Sequence, residues 1–120
     1  MISAWVVPGT NSSALTLPIV RIGKLLLHDQ NAERLLCCDT YYLGKYTAVA
    51  SLNNPDKTKG AAIYILENDQ VISTILPKEE LGLTNFMHIH NAVLRQIGKK
   101  YYVIAQAWNP GDFAILEQVL

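Results

Sequence analysis

Two histidines, one residue apart, are the most chemically suggestive pair in the chain: His88 and His90, in the run NFMHIHNAVLRQIG. On a β-strand, alternate side chains share a face, so the two imidazoles would stand roughly 6.5–7 Å apart and could converge on one zinc or iron. On an α-helix they would diverge by about 200° around the axis and could not share an ion. A catalytic zinc takes three protein ligands and an open position. The only other histidine is His28, in LLLHDQ, with Asp29, Glu67 and Glu117 as carboxylates that could join it. A transition metal on His88, His90 and His28, serving a metal-dependent enzyme, is therefore one reading. Structural or surface histidines are the other.

The surrounding sequence weighs against a known metal pattern. Cupin-like barrels follow their His-x-His closely with a glutamate and later with another histidine. Here Asn91, Ala92, Val93, Leu94 and Arg95 follow, with no glutamate among them and no histidine beyond. No G-x-S-x-G elbow, G-x-G-x-x-G turn or Walker-type loop is present. Cys37 and Cys38 are adjacent, a spacing at which a mutual disulfide is strained, so they read as reduced thiols with small apolar side chains. The stretch NNPDKTKG could hold an anion, but a solvated loop accounts for it more simply. Glu79 and Glu80, in LPKEELGL, fit one helical turn closed by Gly82, with a wet acidic face in place of an acid/base couple.

Aromatic residues supply the remaining binding chemistry. Tyr41–Tyr42 and Tyr101–Tyr102 are adjacent pairs, so on strands each puts one ring on each face. One ring of each pair can enter a core and the other is left to solvent or a partner. With Trp108 beside an Asn-Pro-Gly turn, Tyr42 and Tyr102 are the candidate ligand-binding residues.

The elements that must position these groups read as strands. Turn residues recur evenly at Pro8–Gly9, Gly44–Lys45, Asn54–Pro55, Lys59–Gly60, Asn68–Asp69, Gly98–Lys99 and Asn109–Pro110–Gly111. Runs of five to ten residues lie between them. AAIYILEN, QVISTIL, YYVIAQAW and FAILEQVL alternate or are rich in strand formers. Gly44–Lys45 and Gly98–Lys99 suit two-residue hairpins with glycine at the first central position, where φ must be positive.

GKYTAVASLNNP also lies over GKKYYVIAQAWNP. Tyr46 matches Tyr101, Ala50 matches Ala105 and Asn54–Pro55 matches Asn109–Pro110, all 55 residues apart. Ile65–Leu66–Glu67 returns as Ile115–Leu116–Glu117 at a spacing of 50. Two related three-strand meanders, about 34–67 and 88–120, are expected within one domain spanning 1–120. In strand pattern the arrangement resembles a propeller blade, with IYILENDQVISTI as the outer hairpin and NAVLRQIGKKYYVIAQAW as the inner one. A propeller needs at least four blades, so several chains would have to close it, which would give a carbohydrate-binding propeller assembled from several chains. A small antiparallel sandwich or barrel is the preferred fold.

Residues 85–97 are the point of conflict. Phe86, Ile89, Val93 and Ile97 form a helical stripe, with Thr84 and Gly98 suited to its ends. That would give an α+β fold with a helix on a sheet. The matching segment RLLCCDTYY is poor in helix formers, and the repeat therefore predicts a strand from about Ile89.

Composition narrows the partners. Half of the 120 residues are hydrophobic and 17% are charged, well below the usual quarter. A small domain hides that much apolar surface by covering part of it, most simply with copies of itself. Ten basic and ten acidic residues give a formal net charge of zero, with no concentrated basic patch for nucleic acid or anionic membrane. MISAWVVPGT lacks the features of a signal peptide, and the chain is expected to be cytoplasmic. The expectation is thus a homo-oligomeric, non-enzymatic binding or assembly module with no resident cofactor, the metal enzyme and the multi-chain carbohydrate-binding propeller being the alternatives.

Overall fold

The computed structural model describes residues 5–6 and 37–119. They form eight strands and one short helix: β1 (Trp5–Val6), β2 (Cys37–Leu43), β3 (Tyr46–Ser51), β4 (Ile63–Glu67), β5 (Gln70–Ile75), α1 (Pro77–Leu81), β6 (Ile89–Ile97), β7 (Lys100–Ala107) and β8 (Asp112–Gln118). Every paired neighbour is antiparallel. One sheet has the order β2-β3-β4-β5 and the other β1-β8-β7-β6. The mainly β, sandwich-like fold expected from the sequence is what forms, and the sheets do not close into a barrel.

Turn chemistry sets the strand ends. Gly44 and Gly98 have φ of 59° and 62°, while the lysine after each keeps a negative φ, as a type II′ hairpin requires. The β4–β5 turn works differently. Asn68 and Asp69 both have positive φ, 49° and 67°, which is the type I′ pattern carried by an Asn-Asp pair. Gly82 ends α1 in the left-handed region, with its N–H donating to the Pro77 carbonyl.

Residues 89–97 are strand, which removes the α+β alternative and its helix over 85–97. The stripe Phe86, Ile89, Val93 and Ile97 does not share a face: Phe86 and Ile89 are buried, Val93 lies on the outer face and Ile97 is exposed. Ile89 pairs with Ala107 and Asn91 with Gln106, so His90 is an extra residue in a β-bulge. The bulge resets the alternation, and Ile89 and Ala92, three apart, both lie in the core. A single inserted residue thus breaks the period-two pattern by which a strand is recognised.

The two hairpins grouped above into one blade lie in different sheets: β4–β5 belongs to one and β6–β7 to the other. Each Gly–Lys hairpin does continue into a third antiparallel strand, β4 or β8. The apparent match of Ile65–Leu66–Glu67 to Ile115–Leu116–Glu117 is one residue out of register. Ile65 pairs with Ala48, and Leu116 pairs with Val103, the residue 55 beyond Ala48. Ile65 and Leu116 both face the core, whereas Ile115 faces solvent. Structural counterparts on β4 and β8 are therefore 51 residues apart, not 50.

The core lies between the sheets. Ala48, Ala50, Ile63, Ile65 and Ile75 face it from one side, and Ala92, Leu94, Val103, Ala105, Ala107, Ala114 and Leu116 from the other, with Trp5 and Phe86 fully buried among them. Tyr46 and Tyr101, matched in sequence, meet here edge to face with ring centroids 5.1 Å apart. A second buried cluster, Val49, Ala62, Tyr64, Leu66 and Val71, occupies the opposite face of β3–β5.

The β3–β4 loop is pinned beneath this core. Ala61 N–H donates to the Met87 carbonyl at 3.2 Å. A Cβ on Gly60 would stand 2.6 Å from the Phe86 carbonyl oxygen and 2.9 Å from Lys78 Cβ, so the loop fits only without a side chain there. Gly60→Ala is expected to cost about 1–3 kcal/mol by this overpacking. Gly111→Ala, which meets nothing within 4 Å, is expected to stay within about 0.5 kcal/mol of the parent. Paired urea-denaturation curves check both.

Candidate functional site

Because the inward positions of β6, β7 and β8 alternate with outward ones, the outer face of this sheet carries a grid of side chains. Reading across the strands, the register gives three rows: Arg95, Tyr102 and Glu117; Val93, Ile104 and Ile115; Asn91, Gln106 and Phe113. The middle row is aliphatic throughout. Phe113 is 70% exposed, Ile115 43% and Ile104 37%. Large apolar groups this open, side by side, make a contiguous patch, which a lone surface leucine does not.

Polar groups frame the patch. Asn91 Nδ2 donates to Gln106 Oε1 at 3.3 Å. Tyr102 O–H donates to Glu117 Oε2 at 2.9 Å, and that bond pushes the phenol pKa up. Lys100 Nζ stands 3.5 Å from the other Glu117 oxygen. Arg95 donates to the Tyr41 hydroxyl at 3.3 Å and has no carboxylate partner among the described residues.

The three aromatic candidates are not brought together. Tyr102 lies in this grid. Trp108, 53% exposed, sits just past the end of β7. Tyr42 is exposed on the outer side of the other sheet: it pairs with Thr47, while its neighbour Tyr41 packs against the core. Tyr42 and Tyr102 therefore face away from each other across the sandwich.

The histidines have separate neighbours. His88 precedes β6 and is held twice. Its Nδ1–H donates to the Leu52 carbonyl at 2.8 Å, since a carbonyl only accepts, and its own carbonyl accepts from Trp108 N–H at 2.9 Å. Its ring also meets Trp108 edge-on, with centroids 6.0 Å apart. His90 sits instead at the β6 bulge, with Nδ1 3.6 Å from Cys38 Sγ. Cys38 is itself the bulged residue of β2, since Cys37 pairs with Ser51 and Asp39 with Ala50. The two bulges thus aim a thiol and an imidazole at each other where the edge strands β2 and β6 meet. Among the described residues, no three His, Cys, Asp or Glu side chains group to hold a metal ion. His28 lies outside the described residues.

His88 also lines an open cleft of about 230 Å³ with Asn53, Asn54, Lys57, Lys59 and Met87. The NNPDKTKG loop beside it folds on itself. Asn54 Oδ1 accepts from Asp56 N–H at 2.9 Å, and Asn54 Nδ2 donates to the Gly60 carbonyl at 3.0 Å. Thr58 donates to Asp56 Oδ1 through both its hydroxyl and its backbone N–H, which holds that carboxyl below its ordinary range.

Both carboxylates of α1 serve the backbone. Glu79 accepts from Gly60 N–H at 3.1 and 3.2 Å, and Glu80 Oε1 accepts from Leu76 N–H at 3.1 Å. The sequence did not single out Val93, Arg95, Ile104, Phe113 or Ile115, and offered Glu117 only as a carboxylate that could join a metal. The available signal was that YYVIAQAW and FAILEQVL carry apolar residues on both parities, more than one core face needs. Compared with known proteins, the chain matches no family model, no curated protein and no solved structure.

Burial pushes the Glu80 carboxyl pKa up, against the lowering effect of the Leu76 bond. A raised carboxyl binds its proton more tightly folded than unfolded, so its contribution to stability is present in acid and lost as pH rises through the raised value. Glu80→Gln keeps the acceptor oxygen without the charge. The variant should be more stable than the parent near neutral pH, with the gap narrowing as the parent is acidified. Thermal melts across pH read this directly.

Proposed function

We propose that this chain is a non-enzymatic assembly module, homo-oligomeric in solution, whose working surface is the outer face of β6–β8. The observation that carries the reading is the outward row of half-buried Val93 with exposed Ile104 and Ile115, with exposed Phe113 beside it, set in a polar frame. That combination of an apolar centre and a hydrogen-bonding rim is the usual anatomy of a protein–protein contact. The low charge of the chain supports it, since a covered face needs fewer solvating groups. Adjacent Cys37 and Cys38 fit a reducing compartment, which supports a cytoplasmic location. No helix of the described residues is long and apolar enough to cross a membrane.

The related meanders support descent from a duplicated three-strand unit. With structural counterparts 55 residues apart on β3 and β7 and 51 on β4 and β8, the second copy would have lost four residues from its Asn-Pro loop. Trp108 and Tyr102 border the docking surface on this reading. Tyr42 belongs to a different face of the molecule.

Light scattering at high protein concentration is expected to give a mass above the 13.3 kDa of one chain. The double change Phe113→Ser, Ile115→Ser should bring the mass down to that of one chain. Both side chains are exposed, so the melting temperature should hardly move. A parent protein that remains a single chain at every concentration would refute the reading.

A further inference from the structure

Resting on that reading of the β6–β8 face, we propose that its partner is a second copy of the chain, docked face to face about a two-fold axis running parallel to β7, with Arg95 of each copy against Glu117 of the other.

The grid itself makes the argument. Its three rows run across the strands, and β7 is the central strand of the three. Rotation by half a turn about an axis along β7, placed above the sheet, keeps each row in place and exchanges β6 with β8. Ile104 then meets its own copy. Val93 covers the partner's Ile115, and Asn91 covers the partner's Phe113. In the charged row, Arg95 on β6 comes to lie over the partner's Glu117 on β8. The face is self-complementary in this orientation, as an isologous dimer requires.

The alternative axis, across the strands, does not match the charges. It would reverse the rows, setting Arg95 over Asn91 and Glu117 over Phe113. Arg95 would then lose water without gaining an opposite charge, which is costly, and Glu117 would keep only its own Lys100 and Tyr102. Electrostatics therefore selects one of the two face-to-face symmetries.

The participating groups have capacity for the contact. Arg95 has no carboxylate partner among the described residues and bonds only the Tyr41 hydroxyl. Glu117 is already oriented by Tyr102 and Lys100, at 2.9 and 3.5 Å. A carboxylate has about four lone-pair sites, so it can still accept from a guanidinium. Stacked sheets pack about 10 Å apart with their strands turned by roughly 30°, a turn the two-fold splits equally, so the axis runs along β7 to within about 15°. That turn shifts Arg95 sideways from the partner's Glu117 by less than the reach of an arginine side chain. Three strands make a small contact at the low end of specific interfaces, so the dimer should dissociate on dilution.

Sedimentation equilibrium of the full chain tests the geometry. Arg95→Glu and Glu117→Arg should each weaken self-association about tenfold or more, because each homodimer would then set like charges together twice. Mixed in equal amounts, the two variants should form a heterodimer of near-parental affinity, since both of its charged contacts again join opposite signs. Circular dichroism melts establish that each variant is folded. If Glu117→Arg is not, Glu117→Lys takes its place in the mixture. Folded variants that fail to pair when mixed would overturn the proposed axis. If Phe113→Ser, Ile115→Ser still abolishes the parental dimer in that case, the docking face stands and only the orientation falls. A parent that never dimerises overturns both.

Discussion

The space between the two sheets is the constraint on which this structure turns. The inner face of β6, β7 and β8 presents Ala92, Ala105, Ala107 and Ala114 to it, with Leu94, Val103 and Leu116 as the larger members. Trp5, Phe86 and the isoleucines of β4 and β5 fill the volume those alanines leave. Close packing leaves little tolerance for extra volume in such a layer. Strand alternation then settles the fate of the intervening residues. With alanines facing in, Ile104, Phe113 and Ile115 must face out. The exposed patch is thus the geometrical complement of an alanine-lined core.

The same layer organises the loops. Phe86 is fully buried although it belongs to no strand, and its carbonyl lies where a Gly60 side chain would have to go. Glu79 receives the Gly60 N–H, so α1, the β3–β4 loop and the approach to β6 are tied into one corner. His88 leaves that corner held through both its ring and its backbone, and Trp108 rests on it. The imidazole that first suggested catalysis thus helps to lock the start of β6.

The features that were legible in the sequence are those governed by local backbone chemistry. Gly44, Gly98 and Asn68–Asp69 marked hairpins because few residues adopt positive φ readily. The helical turn of Pro77–Leu81 and its Gly82 cap were readable for the same reason. The strand at Ile89–Ile97 emerged only by analogy with 34–42, because its bulge disguised the alternation. What could not be read was anything set by tertiary packing. Parity alone does not say whether Ile104 or Ala105 faces in, since both are apolar. Nor does local sequence show that Tyr42 and Tyr102 lie on opposite sides, that Trp5 pairs with Gln118, or that Cys38 meets His90. The off-by-one match of β4 to β8 has the same cause: identity of residues aligned them, and the hydrogen-bond ladder did not.

The bulges at Cys38 and His90 also govern how this molecule can change in length. Each already accommodates a supernumerary residue on an edge strand, where the ladder has an open side. Deleting one there would restore an uninterrupted ribbon without turning any neighbour over, since the flanking residues already pair with consecutive partners. The same deletion at Ala105, midway along a strand paired on both sides, would turn half of β7 inside out. A change of length is therefore tolerated best at the seam between β2 and β6, where it leaves the spacing of the outer grid unaltered.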